Sequence, residues 1–138
     1  MALAAASLAL GISVPAAASE YASQISAYRR AHGLSQVKLD SRLSAVALKQ
    51  AQAMAASGSI SHSAAGSFSL RVAQLRKSRA AENIAAGFLS FAETLEQWKE
   101  SAGHRANLLM PGAKKVGVAS AANAKSPYRM FWAMVITD

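Results

Sequence analysis

An uninterrupted apolar run near the C-terminal end of the 138-residue chain constrains the fold more than any other feature of the sequence. Residues 130–136 read Met-Phe-Trp-Ala-Met-Val-Ile. A strand with one solvated face alternates apolar and polar residues, whereas a strand that is buried on both faces is apolar throughout. The run therefore predicts a central strand from Tyr128 to Ile136, with other elements packed against both of its faces.

The segments before this strand are mostly helical in their residue pattern. Apolar spacing and stop signals predict helices over residues 20–32, 41–57 and 68–75 and in the stretch after 90, and extended segments over 37–39, 82–87 (strand or turn) and 116–119. Asp40 is a suitable N-cap for the second helix, and Ser90 with Glu93 forms a capping box that opens the last helix. Helices that come first and strands that come late predict an α+β sandwich.

The N-terminal segment has the composition of a secretory signal. Residues 2–19 carry no charge, and the Ala-Ala-Ala-Ser run at 16–19 offers an A-x-A cleavage pattern. We expect a signal peptide over residues 1–18, a single domain over 19–138, and a secreted or periplasmic protein. No Lys or Arg precedes the apolar run, so an uncleaved anchor is the alternative.

Two properties of the composition narrow the chemistry. The chain contains no cysteine, which excludes disulfides, cysteine-ligated zinc and thiol nucleophiles. Fifteen Lys and Arg against seven Asp and Glu give a net charge of +8, which favours anionic neighbours. We expect the basic run at 71–79 to be a solvated face. No nucleic-acid-binding motif accompanies the charge, so we expect no nucleic acid partner.

Three stretches hold the residues that carry chemistry. They are Ile-Ser-His-Ser at 60–63, Ala-Glu-Asn-Ile-Ala-Ala-Gly at 81–87, and Trp-Lys-Glu-Ser-Ala-Gly-His-Arg-Ala-Asn-Leu-Leu at 98–109 with Lys-Val-Gly-Val at 115–118. In this order, with Ala-Tyr-Arg-Arg at 27–30 and the late aromatic strand, they resemble the CAP or SCP superfamily. This is the superfamily of cysteine-rich secretory, antigen 5 and pathogenesis-related proteins. The resemblance is to its bacterial extracellular, cysteine-free branch, and covers about residues 21–136.

The resemblance implies a three-layer α–β–α sandwich with a cleft lined by His and Glu side chains. His62, Glu82 and His104 match the bacterial pattern. Ser101 stands where the animal and plant members carry a second glutamate, and Phe131 lies at roughly the place of their late-strand histidine.

The three matched residues allow two interpretations. Two imidazoles and one carboxylate are a sufficient ligand set for Zn²⁺ with an open fourth position. Nineteen residues separate His62 from Glu82 and twenty-one separate Glu82 from His104, so no local spacing fixes the geometry. In the alternative, Glu82 accepts a hydrogen bond from an imidazole or a backbone N–H and locks the loop that carries His62 against the sandwich.

Neighbouring polar residues complete the predicted cleft. They are Ser63, Asn83, Ser101 and Arg105. Each of these residues also has a structural interpretation. The serines cap helices, Asn83 fastens a turn, as does Asn107, and Arg105 complements a helix end.

We expect an exported monomer that binds a ligand or a divalent metal, with zinc as the candidate, and that does not catalyse a reaction. The resemblance implies a lipid-like small molecule as ligand, and the charge favours an anionic cell-envelope component. The alternative function is a metal-dependent, peptidase-like hydrolase of envelope or extracellular substrates, with Glu82 as ligand or base. No residue is assigned as catalytic.

Overall fold

The structure is a computed structural model that describes residues 16–138. The elements are helices α1 (Ala16–Ala31), α2 (Ser41–Ser57), α3 (Phe68–Ala73), α4 (Phe91–Glu100) and α5 (Ala102–Leu108), and strands β1 (Lys38–Leu39), β2 (Ala80–Ala86), β3 (Lys115–Asn123) and β4 (Arg129–Thr137). Residues 1–15 of the predicted signal segment lie outside the described residues, and cleavage after Ala18 stays a prediction. No helix within residues 16–138 is long and apolar enough to cross a membrane.

Helix ends follow the predicted capping residues. The Asp40 side chain accepts hydrogen bonds from the backbone N–H groups of Arg42 and Leu43 at the start of α2. This helix ends at Gly58, which has a positive φ of 69° and so adopts a conformation that glycine tolerates best. Ser90 and Glu93 form the reciprocal capping box of α4. The predicted caps at Asp40 and at Ser90 with Glu93 are confirmed.

The four strands form one mixed sheet in the order β1-β3-β4-β2. Strand β1 pairs with β3 in parallel, and β4 pairs in antiparallel fashion with β3 and with β2. The apolar strand β4 is therefore internal, as predicted, and β2 lies at an edge of the sheet.

Helices cover both faces of this sheet. Alternate residues of β4 enter two separate cores: Phe131, Ala133 and Val135 pack with residues of α2 and α3, while Trp132, Met134 and Ile136 pack with residues of α1, α4 and α5. A strand sends successive side chains to opposite faces, so seven apolar residues in a row require a layer on each side. The predicted α+β class and three-layer α–β–α arrangement are confirmed.

A buried arginine joins α1 to the end of α5. Arg29 is inaccessible to solvent, and its guanidinium donates to the backbone oxygens of Ser35, Leu108 and Met110 at 2.8–3.0 Å. The oxygens of the last turn of a helix have no partner within the helix, so the arginine satisfies acceptors that burial would otherwise leave unpaired. Burial without an acidic partner lowers the pKa of Arg29. The contact fixes α5, which carries one of the candidate site residues.

Candidate functional site

Glu82 enters the site from the edge strand β2. Alternation along β2 places Glu82 on the face covered by α2 and α3, where its neighbour Ile84 joins the core, and places Asn83 on the opposite face. The Glu82 side chain is only 2% exposed. A carboxylate at this depth needs a charged partner or several hydrogen bonds.

Arg71 is that partner. Its Nη1 lies 2.7 Å from Glu82 Oε2 and its Nη2 lies 3.0 Å from Oε1, which is the paired geometry that a guanidinium forms with a carboxylate. The same side chain donates to the backbone oxygens of His62 and Gly66 at 2.7 and 3.0 Å. The Arg71 side chain is 10% exposed, so the prediction of a solvated face over 71–79 is wrong at this position. Arg71 ties the loop between α2 and α3 to the sheet.

His62 completes the contacts of Glu82. The atoms His62 Nδ1 and Glu82 Oε1 are 2.9 Å apart. The carboxylate accepts this bond, so Nδ1 carries the hydrogen and Nε2 of the neutral ring keeps a free lone pair. The His62 side chain is 59% exposed. The contact is the one that the second interpretation of the sequence expects, and it leaves the far nitrogen of His62 open to a ligand.

His104 approaches from α5 on the other side of the strand edge. Its Nδ1 is buried and makes no hydrogen bond within the described part of the chain. Burial, and secondly the nearby charge of His62, lower the pKa of His104. The lowered pKa keeps His104 neutral at pH 7, with a lone pair on one nitrogen.

Two asparagines fasten α5 to β2. Asn83 Nδ2 donates to the backbone oxygen of His104 at 3.1 Å. Asn107 Nδ2 donates to Asn83 Oδ1 at 2.9 Å and to the backbone oxygen of Glu82 at 3.3 Å. Both asparagines make side-chain to backbone bonds, but these bonds connect a helix to a strand and do not fasten turns as predicted. They set the position of His104 relative to Glu82.

The remaining predicted residues stand apart from the imidazoles. Ser63 bonds to Ser61, and Ser101 begins α5 without a side-chain capping bond. Within residues 16–138, neither serine hydroxyl bonds to a histidine. Arg105 donates to the backbone oxygen of Lys99, in the last turn of α4, as the helix-end interpretation expects.

The contacts of Glu82 limit its availability as a metal ligand. Both of its oxygens already accept hydrogen bonds from Arg71, and one of them also from His62. No group of three His, Cys, Asp or Glu residues able to hold a metal ion occurs among the residues from Ala16 to Asp138. Glu82 thus orients His62, and a metal site that includes His104 stays a prediction.

An open groove of about 480 Å³ runs between α2 and α3. Its lining includes the apolar residues Val46 and Leu70 and the polar residues Lys49 and Arg71. A lipid-like ligand in such a groove stays a prediction.

The family model of the cysteine-rich secretory protein family, CAP, matches residues 22–136. A search of curated proteins finds no match. Among solved structures, an outer surface protein from Borrelia burgdorferi has a TM-score of 0.75 and 19% identity, over 86% of this chain and 89% of that one.

Two further solved structures are larger than the matched region. An extracellular protein containing a SCP domain from Bacillus anthracis has a TM-score of 0.74 and 24% identity, over 87% of this chain and 39% of that one. A cysteine-rich secretory protein from Staphylococcus aureus has a TM-score of 0.69 and 16% identity, over 86% of this chain and 36% of that one. At these identities the likeness shows the fold. The family model covers most of the chain, and the protein therefore belongs to the CAP family, although it contains no cysteine.

Proposed function

We propose that this protein is an exported binding module, and not a hydrolase, whose site takes up a divalent transition-metal ion between His62 and His104. One observation carries the proposal. Two imidazoles on separate segments each keep a ring nitrogen that makes no hydrogen bond within residues 16–138, and the charge of His62 lowers the pKa of His104.

The chemistry of the two rings suits zinc. Neutral imidazole is a good ligand for Zn²⁺, and a metal-bound histidine usually donates its other N–H to a carboxylate or carbonyl. His62 makes this donation to Glu82 already. With two ligands from the protein, the ion would keep open positions for a carboxylate or phosphate of a bound molecule.

The contacts of Glu82 favour binding over hydrolysis. A general base needs a lone pair that can reach a water molecule, and the Glu82 oxygens face Arg71 and His62 in a nearly inaccessible position. The serines beside the two histidines lack the hydrogen bond to imidazole that an activated nucleophile needs. The described residues therefore form neither a general base at Glu82 nor a serine nucleophile activated by histidine.

Export is supported by the kind of protein that shares this fold. Two proteins of similar structure are an outer surface protein and an extracellular protein. The uncharged N-terminal segment with its A-x-A pattern agrees with a secretory route. We therefore place the binding site outside the cytoplasm.

Calorimetric titration with Zn²⁺ of protein purified without a histidine tag tests the proposal. We expect one binding event, weakened by about 100-fold or more in His62→Ala and in His104→Ala, because losing a ligand should exceed the 10- to 100-fold effect of losing an outer contact. Binding should also weaken as the pH is lowered, because protonated imidazole cannot bind metal, and the lowered pKa of His104 moves the protonation of that ring to lower pH.

His32→Ala is the matched control. His32 is exposed, and its Nδ1 contacts the backbone oxygen of Tyr28, so it offers a single imidazole away from the pair. Its removal should leave the zinc affinity unchanged. Equal zinc affinity in the wild type and His62→Ala, or an equal loss in His32→Ala, would overturn the proposal.

A further inference from the structure

One end of the sheet carries positive charges from three separate segments of the chain. At this end, one cross-strand row runs through all four strands. Its members are Lys38 of β1, Lys115 of β3, Thr137 of β4 and Ala80 of β2. Six cations lie in this row or in the short segments that lead into its strands, and we call them the cationic band: Lys38, Arg76, Lys77, Arg79, Lys114 and Lys115.

Backbone bonds hold three members of the band in place, and the side chains of Lys77 and Arg79 donate to the backbone oxygens of Asp138 and Pro111. Lys38 N donates to the backbone oxygen of Lys114, and Lys114 N donates to that of Thr137. Asp138 N donates to the backbone oxygen of Arg79. Neighbouring strands are about 4.8 Å apart, so four strands spread these charges over roughly 15 Å. The band is a row, and not a cluster around one point.

Asp138 is the acidic side chain in contact with this end, and it is already bound. Its carboxylate accepts hydrogen bonds from the Ser78 hydroxyl and the backbone N–H of Arg79. These bonds lower the pKa of Asp138 to about 2. Six cations and one carboxylate leave the band with a charge of about +5. Lys38, Arg76, Arg79 and Lys114 are exposed.

The surroundings of the band favour a polymer over a compact ligand or a bilayer. None of the exposed large hydrophobic residues of the described chain belongs to the segments that form the band; they are Leu48, Ile60, Leu70, Leu89 and Tyr128. These segments therefore offer no large exposed apolar side chain to insert into lipid. Charges spaced along a row match an anion whose charges repeat along its length. A compact anion would contact only one or two of them.

We propose that the cationic band binds a linear polymer of phosphate groups. The inference is independent of the histidine site, because none of the six residues contacts His62, Glu82 or His104. It assigns the excess positive charge of the chain to one surface and to one class of anionic partner.

Fluorescence titration with labelled inorganic polyphosphate tests this inference. In the triple variant Lys38→Gln, Arg76→Gln, Lys114→Gln, we expect the affinity to fall at least tenfold. The slope of log K against log salt should become shallower by about 2, because three contacts at about 0.7 each are lost.

A matched triple variant separates a defined surface from net charge. The control variant removes two exposed lysines and one exposed arginine through the substitutions Lys49→Gln, Lys125→Gln and Arg129→Gln. Its arginine, Arg129, has a positive φ, as Arg76 does. Lys125 and Arg129 lie at the opposite end of the β3–β4 pair. This control should bind polyphosphate within threefold of the wild type and keep its salt slope.

Three results would overturn the inference. They are equal losses in the two triple variants, binding to orthophosphate as tight as to polyphosphate, and retention on vesicles of anionic phospholipid without binding to polyphosphate. Zinc affinity should be the same in both triple variants and the wild type, so failure here is distinct from failure of the histidine site.

Discussion

Replacing Arg71 by methionine should lower the free energy of unfolding by about 3–5 kcal/mol, the typical cost of removing one partner of a buried ion pair. The variant leaves the Glu82 carboxylate, 2% exposed, without the two guanidinium hydrogen bonds that hold its charge. Arg71 also donates to the backbone oxygen of His62. The loop that carries His62 should therefore loosen, and zinc affinity should fall with stability.

The double variant Arg71→Met, Glu82→Leu separates the pair from its surroundings. Replacing both charges with apolar residues leaves no unpaired carboxylate. The double variant should therefore lose less free energy of unfolding than Arg71→Met and Glu82→Leu lose in sum as single variants. Urea denaturation with a constant m-value measures each free energy.

Arg42→Met is the control for this series. Arg42 pairs with Asp40 at 3.4 Å with its side chain 63% exposed, and exposed pairs contribute about 0–1 kcal/mol. A loss in Arg71→Met no larger than that in Arg42→Met would show that the buried pair does not hold the site together.

Replacing Gly117 by alanine should destabilise the fold by at least about 3 kcal/mol, at or beyond the upper end of what overpacking usually costs. A Cβ atom on Gly117 would collide with the backbone of α2, at the nitrogen of Ser44 and the carbonyl carbon of Leu43. Backbone cannot rotate out of the way as a side chain can, so α2 would have to leave the sheet. Thermal and urea unfolding, together with the yield of folded protein, measure the effect.

Gly103→Ala is the matched control. Gly103 lies in α5, and a Cβ atom there meets nothing within 4 Å. Alanine in an open helical position reduces the freedom of the unfolded chain and should stabilise by about 0.4–1 kcal/mol. A Gly117→Ala protein as stable as the wild type would contradict the close approach of β3 and α2.

The parts of the fold that follow from local chemistry could be predicted from the sequence. The apolar run of β4 requires two covered faces, and Asp40, Gly58, Ser90 and Glu93 mark helix ends through bonds within a few residues. The beginning of α1 at Ala16, and not at Glu20, was not predicted. Alanine has the highest helix propensity, but the same residues suit a cleavage site, and the pattern alone does not separate the two.

The candidate site could be predicted only in part because its contacts join distant segments. Motif resemblance indicated His62, Glu82 and His104, although spacing along the chain fixed none of their distances. Arg71 was missed because its role depends on an edge strand that packs beside α3. A buried carboxylate favours a guanidinium partner. Arg71 lies between His62 and Glu82 in the chain, so it was the arginine that the sequence offered as this partner.

Nitrogen NMR of the imidazole rings, before and after addition of Zn²⁺, tests the central claim most directly, namely that His62 and His104 form one site. Without metal, we expect His62 to carry its hydrogen on Nδ1, because Glu82 accepts a hydrogen bond there, and His104 to be neutral at pH 7. Zinc should then shift ring nitrogens of both residues in the same titration and leave His32 unchanged. A hydrogen on Nε2 of His62, or a zinc response at His32 and not at the pair, would contradict the account.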